Sequence, residues 1–96
     1  MAVIVTPLHR YFSEARLVEV IDVMRDLGPP RIRAYLDRTT GAWLALEGTH
    51  RLRAALHLGL TPVMISVKWP RSARALERAR FAAIDRGHVF RRVEIS

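Results

Sequence analysis

"EGTHRLRAALHLGL", residues 47–60, decides how this chain is read, because it joins a strand to a helix through a glycine. Its first seven residues carry a carboxylate, a glycine, a hydroxyl, an imidazole and two guanidinium groups. A strand that ends at Glu47 and turns at Gly48 aims the first unpaired N–H groups of the following helix at the space beyond the strand, where they attract anions. Gly48 lets a ligand approach the backbone closely. Thr49 either caps the helix or donates to a phosphate oxygen. His50 and Arg51 are poor choices for the positive end of a helix dipole on stability grounds, a misfit that points to a bound anion. Arg51 supplies a fork suited to bidentate phosphate contact. Arg53 projects about 200° around the helix from Arg51, so both reach one ligand only when it sits over the helix end. Glu47 is either an acid that handles a proton or a strand-end carboxylate paired with a nearby arginine.

Outward from this stretch, "AWLALE" is nearly all apolar and reads as an interior strand, paired through the turn "RTTG" with the alternating strand "RIRAYLD". In the latter, Ile32, Ala34 and Leu36 share one face. Upstream, "AVIV" at residues 2–5 reads as a first strand, and Ser13 caps a helix whose apolar positions are Leu17, Val20, Ile21, Met24 and Leu27, with Gly28 as its stop. The helix after Gly48 spans about His50 to Leu58, buries Leu52, Ala55 and Leu56, and stops at Gly59. Downstream, "TPVMISVKW" is a strand, residues 72–86 form a last helix, and "HVFRRVEI" closes the chain as a strand. The expected class is α+β, a mixed sheet with packed helices in the order βαββαβαβ, as one domain over residues 1–96.

The chain has 96 residues, half of them hydrophobic, and no cysteine. That composition suits one folded core and excludes disulfides, zinc-thiolate sites and thiol catalysis. No apolar run approaches a membrane span and no secretory signal is visible, so a cytoplasmic location is expected. The net charge is +7, and every basic residue but Lys68 is arginine. Such a surplus favours polyanionic partners, although it equally describes a solvated basic surface. Arg71, Arg74 and Arg78 fall on one face of the last helix and could track DNA or RNA. His50 and His57 lie about 10 Å apart along a helix and cannot share a metal, and His88 shows no partner, so no metal site built from protein ligands alone is expected. Trp43 and Trp69 read as core or sheet-edge residues.

The run from Glu47 to Leu60, followed by "TPVMISV", resembles the signature of the ParB/sulfiredoxin-like superfamily: strand, acidic-Gly-x-His/Arg-Arg turn, helix with "RAA", strand. The upstream loop "TPLHRYF", the helix ending "DLG" and the hairpin agree in layout, so the resemblance covers residues 2–69 and leaves residues 70–96 as an extension. It implies that Gly48, Thr49, His50 and Arg51 line a nucleotide phosphate pocket, with His9 and Arg10 in the approaching N-terminal loop. Sulfiredoxins carry a catalytic Cys where Thr49 stands, so their chemistry is ruled out, and the Gly-Glu-Arg-Arg turn of partitioning proteins is replaced as well. The free-serine kinase branch, with Asp-Gly-His-His-Arg, matches best locally, and it implies that Glu47 holds magnesium or takes a proton from an attacking hydroxyl. The function expected is binding of a nucleotide or other phosphorylated ligand, with phosphohydrolase, nuclease or kinase-type transfer at Glu47 and magnesium arriving with a nucleoside tri- or diphosphate. The alternative is a non-catalytic module that binds nucleic acid or protein through its arginine-rich C-terminal third. A homodimer paired through the closing strand fits either reading.

Overall fold

The computed structural model describes residues 2–9, 11–68 and 87–96. Arg10, Trp69 and the expected last helix at residues 72–86, with the stripe Arg71, Arg74 and Arg78, lie outside them. The described chain runs β1 (Val3–Pro7), α1 (Glu14–Leu27), β2 (Arg31–Leu36), β3 (Trp43–Ala45), α2 (Thr49–Leu58), β4 (Val63–Ser66), β5 (His88–Phe90) and β6 (Glu94–Ile95). The closing strand is therefore two strands. Phe90 is buried, but the exposed Arg91 and Arg92 interrupt the pattern, and the chain passes from one edge of the sheet to the other.

The sheet has six strands in the order β5-β1-β3-β2-β4-β6. It is mixed: β1 pairs with β3, β2 with β4 and β4 with β6 in parallel, while β2 with β3 and β1 with β5 are antiparallel. The β2–β3 hairpin closes where the Asp37 carboxylate accepts from the Thr39 amide at 2.9 Å and the Asp37 amide donates to the Ala42 carbonyl at 2.8 Å. An aspartate that satisfies the backbone two residues on is a standard way to fix such a reversal.

Residues paired across strands point to the same side of a sheet. The pairs Val5 with Trp43, Ala34 with Ala45, Ile32 with Met64 and Val3 with Phe90 thus define one face. That face forms the core together with Leu52, Ala54 and Ala55 of α2 and Met24 of α1. The Ser13 hydroxyl accepts from the Arg16 amide and starts α1, and Gly28 ends it. Two expected core positions are not buried: Leu27 is 79% exposed and Leu56 is 38% exposed, whereas Ala54 is fully enclosed. The two helices pack on one another, and α2 also contacts β5, so α2 is covered on two sides and buries Leu52, Ala54 and Ala55. In β4 the buried side chain is Met64, with Val63 and Ile65 only half covered.

Among the described residues no helix is long and apolar enough to cross a membrane.

Candidate functional site

The carboxyl ends of the parallel pair β1 and β3, the start of β2, the N-terminus of α2 and one side of α1 surround a cleft of about 860 Å³. Its apolar wall comes from α1, through Val20, Val23, Met24 and Leu27, and continues into Pro29 and Pro30. Its polar end is the turn from Glu47 to Arg51, with His9, Arg16 and Arg31 on the rim.

Gly48 makes this turn and is the N-cap of α2, in the left-handed region at φ 84°. No side chain caps the helix. The first bond of the helix runs from the Leu52 amide to the Gly48 carbonyl at 2.8 Å. The amides of Thr49, His50 and Arg51 precede it and have no acceptor among the described residues, which is the geometry that attracts an anion. No acidic residue stands in the first turn to occupy that position.

The side chains of this turn have divided duties. The Thr49 hydroxyl is buried and donates to the His9 carbonyl at 3.0 Å. It neither caps the helix nor keeps a proton for a phosphate. The His50 Nε2 accepts from the Ser13 amide at 3.0 Å, and its ring meets Phe12 edge-on with centroids 6.4 Å apart. Both residues therefore clasp the chain between β1 and α1 onto α2, and what they can offer an anion is backbone. His9 is brought to the rim by the same clasp. Arg53 leaves the turn altogether: its guanidinium lies 3.7 Å over the Phe12 ring, on the other side of α2 from Arg51, as a separation of about 200° requires.

Arg51 stays at the cleft mouth. One terminal nitrogen donates to the Arg31 carbonyl at 2.9 Å and the other lies 3.4 Å from a Glu47 oxygen. Guanidinium has five N–H donors, so these two contacts orient it without exhausting it. Glu47 also pairs with Arg33 at 3.2 Å through its second oxygen. The Arg33 hydrogen bond, helped by the charges of Arg33 and Arg51 and opposed by partial burial, holds the Glu47 carboxyl below its ordinary value. Such a carboxylate is a weak proton acceptor. With each oxygen facing a guanidinium, it also fits poorly as a protein-held magnesium ligand. Among the described residues no three His, Asp or Glu side chains gather as a metal site. Arg33 is a participant that the reading of the sequence passed over. Its place opposite Leu46, two residues before Gly48, follows from the hairpin register, which also pairs Ala34 with Ala45.

The lowered Glu47 carboxyl predicts a pH dependence. A carboxylate with a depressed folded-state pKa contributes stability that is complete above its unfolded value and is lost as pH falls through the folded one. Glu47→Gln should therefore flatten the acid limb of the stability profile below the ordinary carboxylate range. Because the pair is more than a third exposed, the difference should shrink in 1 M salt. Urea titrations at stepped pH, with and without salt, measure it; parallel acid limbs in the two proteins would contradict it.

Comparison of the chain with protein families, with curated proteins and with solved structures returns no match.

Proposed function

We propose that this chain binds a nucleotide or another phosphorylated small molecule, with its phosphate at the N-terminus of α2 and its organic part along α1. The observation that carries the reading is the uncapped start of α2, where three amides with no acceptor among the described residues open on a cleft that holds an oriented guanidinium. Phosphate oxygens complete such amides, and Arg51 adds charge-assisted hydrogen bonds. The wall of Val20, Val23, Met24 and Leu27 gives a base or another apolar group something to cover. In this reading the chain is a relative of the ParB/sulfiredoxin-like group, on the strength of the Glu47–Arg51 turn and the element order around it.

The proposal is binding and not turnover. Glu47 is assigned to positioning Arg51, since acting as a base would require it to leave Arg33. Any magnesium would arrive on the phosphates of a di- or triphosphate.

Thermal denaturation with ATP, ADP, CTP and GTP, each with and without magnesium, tests this directly. A ligand at 100 times its Kd adds about 2.7 kcal/mol, and each kcal/mol is worth about 4–8 °C in a domain of this size. Arg51→Ala should weaken binding by about tenfold or more, the usual loss for hydrogen bonds to a charged group, while Arg33→Ala, outside the cleft, leaves it nearly intact. No stabilisation by any nucleotide, together with salt-sensitive binding to DNA or RNA, would overturn the proposal in favour of a nucleic-acid module.

A further inference from the structure

We propose that the groove between α1 and α2, on the far side of α2 from the phosphate cleft, is a second binding site, for an amphipathic monocarboxylate. The groove encloses about 580 Å³ and is lined by Leu17, Val18 and Ile21 of α1, Leu56 of α2, and the polar groups of Arg53 and His88. Apolar walls with a few converging polar groups are the usual make-up of a small-molecule site.

Two nitrogens give the ligand its chemistry. The Arg53 Nε and the His88 Nε2 are both covered, and neither has a hydrogen-bond partner among the described residues. Buried polar groups are almost always paired, and one left unpaired is costly. Here two of them belong to residues that line the same groove. Both residues are only half buried, so each side chain has room to turn its nitrogen toward a seated group. Phe12 already covers one face of the Arg53 guanidinium at 3.7 Å, which leaves its edge as the side that can donate. A carboxylate supplies acceptor oxygens to both nitrogens and a charge opposite to that of Arg53. An aliphatic tail would then lie over Val18 and Leu56, which are partly exposed. Glu14, which also lines the groove, opposes an anion, but it is exposed to solvent and shares the groove with Arg53, His57 and His88.

His88 also supplies an independent readout. Burial, with the Arg53 charge adding, lowers its pKa from the ordinary histidine value. A carboxylate beside the ring favours the charged form and would move that pKa back up.

Octanoate is the probe, with 1-octanol as its uncharged counterpart. Octanoate should stabilise the protein saturably, and 1-octanol should bind at least tenfold more weakly. Arg53→Met, which keeps the packing on Phe12, should weaken octanoate about tenfold or more. Arg51→Ala should leave octanoate binding unchanged, which separates this site from the phosphate cleft. In the wild-type protein, saturating octanoate should raise the His88 pKa followed by NMR of the imidazole, a readout that survives if Arg53→Met does not fold. Equal binding of octanol and octanoate, no movement of His88, or loss of octanoate binding in Arg51→Ala would each overturn the proposal.

Discussion

Replacing Leu52 by alanine is expected to lower the unfolding free energy by about 2–5 kcal/mol, the range for truncating a leucine in a packed core. Leu52 is fully buried and belongs to the cluster that holds Val5, Ile32 and Met64. It is also the residue whose amide makes the first hydrogen bond of α2. With 10 residues, α2 is shorter than the roughly 12–15 at which isolated helices become even marginal in water, so its stability comes from packing. Truncation at Leu52 loosens the contact that fixes the helix start, and ligand affinity at the cleft should fall with stability. Urea denaturation should show a lower midpoint at unchanged slope. Leu56→Ala is the comparison: at 38% exposure it should cost clearly less. Equal losses at the two positions would mean that the helix is seated differently on the sheet.

That comparison also marks where the sequence was legible. The strands and helices through Ser66 were readable in kind and order because their signals are local: the Ser13 cap, the "RTTG" turn, the alternation of Ile32 and Ala34, and the glycine at 48 each act within a few residues, although β1 runs on to Pro7 and β3 ends at Ala45. The side of α2 that faces α1 is not a local property. Apolar spacing selected Leu56, yet Leu56 borders the groove between the helices and stays partly exposed, while Ala54, about 200° around α2 from it, is fully buried. The same limit governs the turn. Spacing placed Gly48, Thr49, His50 and Arg51 at a helix start, and opposed Arg51 to Arg53, correctly in angle. What the Thr49 hydroxyl and His50 ring would meet depended on the loop after β1, which contributes the His9 carbonyl and the Ser13 amide from about 40 residues away. Polar groups with several available partners take the ones that folding brings, and those are fixed by tertiary contacts. The division of "HVFRRVEI" into β5 and β6 was hidden likewise, since its two halves pair with strands at opposite edges of the sheet.

Gly48→Ala should be costly for two separable reasons, and Ile32 allows them to be separated. The φ of 84° lies where a side chain costs about 1–2 kcal/mol. In addition, a Cβ at this position would lie 3.2 Å from the Ile32 Cδ1, and Ile32 is fully enclosed, so its methyl has little room to yield. Overpacking of that kind adds about 1–3 kcal/mol. The same Cβ would be 3.5 Å from the Arg51 Nε, so any shift of the turn is passed to the guanidinium at the cleft mouth. Ile32→Val removes the Cδ1 methyl at a cost of about 0.5–1.5 kcal/mol. In that background Gly48→Ala should become cheaper by the steric part alone, leaving the backbone part intact. A double-mutant cycle read from chemical denaturation measures this coupling. Strict additivity would show that the glycine is needed only for its backbone angle. A coupling of 1 kcal/mol or more would show that close packing of the turn on β2 is what sets the amides of α2, and Arg51 with them, at the end of the cleft.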